Sequence, residues 1–464
     1  MSAKKTVAAD GDTIVAVITP PGEGGIAALR VAGPKSRALL KRCFSPEHEQ
    51  TGSITPFMLR YGRFVDRTGQ TLDQVTAVFM PRGKSYTGLD QFEIYCHGGR
   101  HVVRRLLDEL TALGARLAEP GEFTRLAFLN GRIDLTRAEA VAEIIAANTE
   151  VSFRASREHL LGKYAEKVTG LREKLVEILA DIEASIDFAE EDIDPGKSVR
   201  LTEPLEDLIK EISEMAATYR GGRIINEGYR VAICGRPNAG KSSLFNLLLR
   251  EERALVNPTA GTTRDYLSEW IDLDGIAVNL IDTAGLRQGG SVVEKAGRTR
   301  AQKIMKDSDL VVWIADMSSR SWESRLKTDI PTIKNKNILL VANKIDIIGT
   351  SINKVNDFSL DLMAVSCTLR TGIEELKSEL VHRINESTPD LTSGLVVTSA
   401  RHRQKLTEAI RDLKAALRKI KQGETAELVA FDLRQARQAL DEITGRVYTE
   451  EILGQIFANF CVGK

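Results

Sequence analysis

The sequence predicts a multi-domain α/β protein in which one α/β module is inserted into a helical domain. Three observations lead there. Residues 1 to about 125 alternate strand-like and helical patterns. From about Gly131 to Ile225 the composition turns strongly helical, and it does so again after about residue 384. Between those helical stretches, apolar strand-like runs alternate with amphipathic segments behind a glycine-rich loop.

In the first block, Thr13–Ile18 reads as a strand, followed by the turn-rich Thr19–Gly25 and a second apolar run, Ile26–Val31. Met58–Val65 and Gln74–Met80 read as strands joined by Asp66–Gln70, with Gly69 as the turn residue. His101–Leu113 is a helix, because Val102, Leu106, Leu110 and Leu113 recur at helical spacing. His97 precedes two glycines and a helix start, so a turn is the plain reading and a catalytic imidazole the sharper one.

The helical stretch carries an apolar stripe of Leu171, Leu175, Ile178, Ile182 and Ile186 that needs a partner. Glu190–Asp194 with Pro195 breaks it, and Glu203–Met215 forms another helix. Helices resume at Ser399–Gln422 and Leu428–Val447. Helical blocks on both sides of one module imply a discontinuous helical domain with an insertion, which domains tolerate where their termini lie close together.

The inserted module carries the clearest chemistry. Arg230–Cys234 is an apolar run leading into Gly235-Arg236-Pro237-Asn238-Ala239-Gly240-Lys241-Ser242, and an amphipathic helix, Lys241–Leu249, follows. Strand, glycine-rich loop and helix in that order cradle phosphates: inward N–H groups and a helix N-terminus supply positive charge. Lys241 would reach the β/γ-phosphates and the Ser242 hydroxyl a magnesium ion. Asp282-Thr283-Ala284-Gly285 ends the strand Ala277–Ile281, placing a carboxylate for magnesium through water and a Gly285 N–H for the γ-phosphate. Asn343-Lys344-Ile345-Asp346 ends the strand Ile338–Ala342, where a carboxylate accepts from N1–H and the 2-amino group of guanine. In that order the three segments predict GTP binding, with Val365-Ser366-Cys367 as a further base loop. Asp274-Gly275 joins Leu267–Leu273 to Ile276–Ile281 as a two-residue hairpin. An antiparallel edge pair beside parallel strands suits a Ras-like sheet.

The position after the magnesium-loop glycine, where a water-orienting glutamine usually stands, is Leu286. Glu294, beyond Gln288-Gly289-Gly290, is an available carboxylate; an ordinary helix-start glutamate is the plain alternative. Thr262-Thr263-Arg264-Asp265 offers hydroxyls over the γ-phosphate, with Thr263 the natural second magnesium ligand. Asn238 lies where another cation near the phosphates would be held. Arg264 reads as an arginine finger or, more simply, as a partner of Asp265.

Composition bounds the rest. The chain has 464 residues, 42% hydrophobic and 28% charged, with 64 basic and 64 acidic side chains, so any RNA contact must come from a local patch. Five scattered cysteines without C-x-x-C spacing favour neither zinc nor a disulfide framework. Met1–Asp12 lacks the apolar segment of a secretory signal, and no run approaches a membrane span, so a cytoplasmic protein is expected.

The assembled motifs resemble the MnmE (TrmE) tRNA-modification GTPase family from end to end. Thr19-Pro20-Pro21-Gly22 with Gly24-Gly25, Cys96-His97-Gly98-Gly99, Pro120-Gly121-Glu122-Phe123-Thr124 with Ala127-Phe128-Leu129-Asn130-Gly131, and the tail Phe460-Cys461-Val462-Gly463-Lys464 carry the likeness outside the nucleotide motifs. The resemblance implies an α/β tetrahydrofolate-binding and dimerisation domain over 1–127, a helical domain over 128–225 and 385–464, and a Ras-like GTPase domain over 226–384. It implies a homodimer, a flavoprotein partner (MnmG) in a heterotetramer, and tRNA as substrate. The joint product is an aminomethyl or carboxymethylaminomethyl group on C5 of the wobble uridine. Its cofactors would be GTP, Mg2+, K+ and a 5-formyl- or 5,10-methylene-type tetrahydrofolate.

The same resemblance assigns residues. GTP contacts are Asn238, Ala239, Gly240, Lys241, Ser242 and Ser243, then Asn257, Pro258, Thr259, Ala260, Gly261, Thr262 and Thr263. They continue at Asp282, Thr283, Ala284, Gly285, Asn343, Lys344 and Asp346. Ser242 and Thr263 match magnesium ligands; Asn238, Asn257, Thr259 and Thr262 match potassium contacts. Glu294 matches the residue that organises the attacking water. Arg30, Glu93, Arg132 and Lys464 match folate positions. Two cations suit a glutamate tail and one carboxylate suits the amino-pterin edge. Arg132 and Asn257 stand where other members carry lysine and threonine. Cys461 is read equally as a buried structural thiol or a catalytic one. Arg401–Gln422, with eight basic against two acidic side chains, is the tRNA-backbone candidate or simply a solvated face. A ribosome-assembly GTPase and a pure nucleotide switch are the rival classes.

Overall fold

The structure, a computed structural model, describes residues 11–47, 55–187, 195–252, 267–283, 299, 301–319, 321–333, 337–348, 362–387, 395–458 and 460–464. It divides into two compact units: Met1–Ala142 with His159–Val176 and Arg437–Lys464, and Glu143–Glu158 with Glu177–Ala436.

The first unit is built on a seven-stranded sheet. Its strands are β1 (Ile14–Val17), β2 (Gly24–Ala32), β3 (Phe44–Pro46), β4 (Arg60–Val65), β5 (Thr71–Met80), β6 (Gln91–Gly98) and β7 (Arg116–Leu117). They lie in the order β3-β4-β5-β6-β2-β1-β7, antiparallel except for the parallel β1–β7 pair. Alternate residues such as Val75, Ala77, Phe79, Phe92 and Ile94 bury one face against α1 (Ser36–Cys43) and α2 (Arg100–Ala112). Strand β5 starts three residues earlier than hydropathy predicts. Thr71 and Asp73 are polar, yet they pair with Val65 and Phe64 across the hairpin, because the ladder bonds backbone groups whatever the side chain. Helix α3 (Glu122–Leu129) follows β7.

Helices α4 (Leu135–Ala146), α5 (Glu150–Leu160), α6 (Lys163–Asp187), α7 (Pro195–Ala217) and α8 (Tyr219–Glu227) come next. Leu171, Leu175, Ile178 and Ile182 of the predicted stripe are buried. Pro195 opens α7 at its first residue, where its missing N–H has no intrahelical partner to lose.

The second sheet has six strands: β8 (Tyr229–Gly235), β9 (Leu267–Leu273), β10 (Ile276–Asp282), β11 (Leu310–Asp316), β12 (Ile338–Asn343) and β13 (Leu362–Ala364). Their order is β13-β12-β11-β8-β10-β9, with only the β9 edge antiparallel, which is the Ras-like arrangement. Strand β8 is central, and Val231, Ala232, Ile233 and Cys234 are all buried, as a strand covered on both faces requires. The β9–β10 turn has positive φ at Asp274 (53°) and Gly275 (81°), the backbone demanded by a tight hairpin. Helices α9 (Lys241–Glu251), α10 (Trp322–Asp329), α11 (Ile345–Ile348), α12 (Ile373–Ser387), α13 (Ala400–Gln422), α14 (Ala426–Thr444) and α15 (Glu450–Phe457) follow, and residues 301–307 are helical too. Among the described residues no helix is long and apolar enough to cross a membrane.

Candidate nucleotide and folate sites

The C-terminal ends of β8, β10 and β12 bring most of the predicted nucleotide residues together. This is the crevice that a parallel sheet leaves at its carboxyl edge. Gly240 is the N-cap of α9, at φ 101°, so the helix starts with no capping side chain. A Cβ on Gly240 would collide with Nδ2 of Asn343. That Nδ2 donates to the Ala239 carbonyl at 2.9 Å, tying the glycine-rich loop to the end of β12. Asn343 is buried, and its Oδ1 accepts from the Cys367 N–H at 3.3 Å. One side chain therefore holds the phosphate loop and the Ser366-Cys367 loop in register.

Lys241 is buried, and its Nζ donates back to the Arg236 carbonyl at 2.9 Å, over the loop. Ser242 Oγ donates to Asp282 Oδ2 at 2.8 Å, and Asp282 is 1% exposed. Thr283 Oγ1 donates to the Ile233 carbonyl at 2.9 Å, so this threonine braces β8. Asn238 is exposed at φ 62°, and Ser243 is exposed on the first turn of α9. At the base end, Ser366 Oγ donates to Asp346 Oδ1 at 2.6 Å and accepts from Leu369 N–H at 3.1 Å. Lys344, at φ 68°, reaches Asp316 Oδ2 at 2.7 Å. Burial works against ionisation of Asp316, but hydrogen bonds from Lys344 and Ser318 outweigh it and hold the carboxyl below its usual range. Asp316 and the Arg236–Asp329 fork, 2.8 Å on both arms, were not singled out from sequence. The fork pins the outer side of the phosphate loop. Its only sequence signal is a basic residue inside a glycine-rich loop. Asn257, Pro258, Thr259, Ala260, Gly261, Thr262, Thr263, Arg264, Asp265, Ala284, Gly285, Leu286 and Glu294 lie outside the described residues.

The first unit holds a second constellation. Arg30 on β2 and Glu93 on β6 are direct cross-strand partners, and Arg30 Nε donates to Glu93 Oε1 at 2.8 Å. Their side chains are 15% and 12% exposed. The guanidinium lies 5.4 Å from the Tyr86 ring centroid and 5.6 Å from that of Phe123. Tyr95 Oη donates to Glu93 Oε2 at 2.7 Å; burial first, then that bond and the carboxylate charge, push its pKa up to about 12. Burial likewise raises Tyr86, whose hydroxyl lies 2.9 Å from Thr124 Oγ1.

The tail closes toward the same place. Phe123 N–H donates to the Lys464 carbonyl at 3.1 Å, and Pro120 bridges Val462. Arg132 is more peripheral: its Nη1 donates to the Gly83 carbonyl at 3.0 Å, on the loop that carries Tyr86. Glu93 and Tyr95 share one face of β6, two residues apart; neither this strand nor the placing of Tyr86 and Phe123 beside Arg30 was read from the sequence. Cys461 is exposed, so the buried-thiol alternative fails. His97 is the penultimate residue of β6 rather than part of a turn; its Nδ1 lies 2.7 Å from Asp73 Oδ1, while the ring is largely exposed.

Two family models match in tandem: the N-terminus of the GTP-binding protein TrmE over residues 13–132 and the MnmE helical domain over residues 135–461. The tRNA modification GTPase MnmE of Aquifex aeolicus is 38% identical over 98% of this chain and 100% of its own length. The chain belongs to the MnmE family of tRNA modification GTPases. The Carboxydothermus hydrogenoformans member is 39% identical over 98% of this chain and 99% of its own. Among solved structures, the G domain of the T. maritima FeoB iron transporter is 28% identical, covering 33% of this chain and 98% of its own. Its TM-score is 0.27.

Proposed function

We propose that this chain is a GTP-hydrolysing, tetrahydrofolate-dependent tRNA-modifying enzyme. With a flavoprotein of the MnmG kind, in a heterotetramer, it adds an aminomethyl or carboxymethylaminomethyl group to C5 of the wobble uridine. The observation that carries the reading is the row of Lys241, Ser242, Asp282, Asn343 and Asp346 along one sheet edge, in a chain 38% identical end to end to a tRNA modification GTPase. We read the domains as 1–127 for folate binding and homodimerisation, 128–225 with 385–464 as the helical domain, and 226–384 as the G domain. Its working place is the cytoplasm.

The donor set suits magnesium. A serine hydroxyl and a buried carboxylate 2.8 Å apart offer one direct oxygen and one outer-sphere acceptor. Ser242 and Thr263 would ligate the ion, which supplies charge neutralisation between the phosphates. Lys241 holds the β/γ-phosphates and Asp346 the guanine edge. Asn238 stands where a potassium ion, shared with Asn257, Thr259 and Thr262, would offset charge that other GTPases meet with an arginine. Glu294 orients the attacking water. Arg30, Glu93, Arg132 and Lys464 bind the folate. Arg30 and Glu93 already neutralise each other, so a ligand carboxylate and an amino-pterin edge must divide that pair between them.

Hydrolysis in potassium against sodium tests the reading together with Glu294→Ala. That variant is expected to keep GTP affinity and lose hydrolysis by about 100-fold or more. Normal turnover in Glu294→Ala removes this residue from the mechanism. Full wobble modification on a non-hydrolysable analogue makes the protein a switch instead.

A further inference from the structure

Helix α13 sorts its charges by face. Its buried side is His402, Leu406, Ala409, Leu413 and Ala416. Beyond its first residue, Ala400, its exposed positions are Arg403, Gln404, Thr407, Arg411, Lys414, Arg418, Lys421 and Gln422. At 100° per residue these eight fall within one arc of roughly a quarter turn. Five are cations and none is an anion. The helix's two carboxylates, Glu408 and Asp412, lie outside that arc on the flank, where Glu408 takes Lys405 at 2.8 Å. Lys419 is held by Asp432 at 2.8 Å and also stands off the arc. The eight basic residues of the stretch therefore divide into three on the flank and five on a ridge about 27 Å long.

The ridge cations are weakly committed. Lys414 and Arg418 make no hydrogen bond or ion pair among the described residues. Among the described residues, Arg411 reaches its neighbour Asp412 and Lys421 reaches Glu206, in pairs that solvent screens. Arg403 lies 4.9 Å over the Tyr219 ring, which fixes its direction without neutralising it. A helix that is merely solvated mixes signs at i,i+3 and i,i+4. Helices α2, α5 and α12 of this chain do so, with the exposed pairs Arg104–Asp108, Arg154–Glu150 and His382–Glu386. A chain with equal numbers of acids and bases gains nothing in solubility from one unbroken cationic strip.

We infer that the exposed face of α13 is a docking ridge for RNA, binding the phosphate backbone of the tRNA through Arg403, Arg411, Lys414, Arg418 and Lys421. This rests on the tRNA reading of the function and adds the surface. Such contacts position the substrate without reading its sequence, and each phosphate neutralised releases counterions.

The test is fluorescence anisotropy of an unmodified tRNA transcript with the full chain, titrated at several salt concentrations. The triple variant R411Q/K414Q/R418Q is expected to bind at least tenfold more weakly. Its plot of log affinity against log salt should be shallower by about 2. GTP hydrolysis and melting temperature should not change. R411K/K414R/R418K keeps the charge and should bind like the unaltered chain. If the unaltered chain binds tRNA and the triple variant matches it in affinity and slope, the ridge proposal falls alone. If the unaltered chain binds no tRNA, the functional reading falls and takes the ridge with it. A triple variant that keeps tRNA but loses the flavoprotein shows a protein-docking face and overturns the RNA assignment.

Discussion

The nucleotide crevice and the Arg30–Glu93 centre are both charged sites on sheets, yet they are assembled in opposite ways. The crevice is a property of chain ends: its polar groups sit where a strand stops or the following helix begins, and side chains serve mainly to hold loops together. Asn343 donating to the Ala239 carbonyl and Thr283 to the Ile233 carbonyl are bonds from side chain to backbone. The second centre lies in the middle of strands. There a cation and an anion face each other across a ladder, half enclosed by Tyr86 and Phe123. Backbone-built sites tolerate side-chain change except at the group that meets the ligand. A side-chain pair couples its two members, so losing one strands the other.

The largest effect that comparison predicts is at the base end of the crevice. Asp346→Asn should lower GTP affinity by about 1,000-fold or more and move the preference toward xanthine nucleotides, since a site built to accept two hydrogen bonds rejects a donor there. Its melting temperature should fall little, because the Ser366 bond to Asp346 Oδ1 can be kept by the amide oxygen. Titration with fluorescent GTP and XTP reads this; unchanged GTP affinity would remove Asp346 from base recognition.

A smaller effect, and of a different kind, belongs to the second centre. Arg30→Ala should destabilise the protein by about 2 kcal/mol, leaving the mostly buried Glu93 uncompensated. Adding Glu93→Gln should recover about half of that, a coupling that a thermal or urea double-mutant cycle measures. Both variants should lose tetrahydrofolate binding by calorimetry and keep GTP binding. Simple additivity in the cycle would show that the pair is not coupled.

The smallest effect concerns thiols. Burial pushes Cys43 and Cys234 up to about 12 and Cys96 up to about 11, so little thiolate exists on any of them at pH 8. Iodoacetamide with mass spectrometry should label the exposed Cys461 first, the half-buried Cys367 slowly, and the other three scarcely. Raising the pH to 9 should leave Cys43 and Cys234 silent, because pH 9 is still far below their raised values. GTP should protect Cys367, whose N–H donates to Asn343, and leave Cys461 untouched. Early labelling of Cys43 or Cys234 would contradict their burial.

Legibility followed the same division. Strand β8, its glycine-rich loop and the start of α9 can be read from sequence because hydropathy, glycine and helix start fall within about a dozen consecutive residues. The Asp274-Gly275 hairpin is readable for the same reason, as a turn requiring positive φ at both positions. The charge content of Arg401–Gln422 was visible, but not its division. Which cations are spent on Glu408 and Asp432 depends on rotation about the helix axis and on a neighbouring helix.

Local chemistry along the chain was enough to mark β8, β9, β10, β12 and the start of α9 in the nucleotide module, the carboxylate and lysine placed at its loops, and the family signatures around it; β11 and β13 were not marked. Residues 63 apart such as Arg30 and Glu93, the rings that flank them, and the tail returning to Phe123 were joined only by folding. Cross-strand register and chain return are collective outcomes of packing, and no short window of sequence contains them.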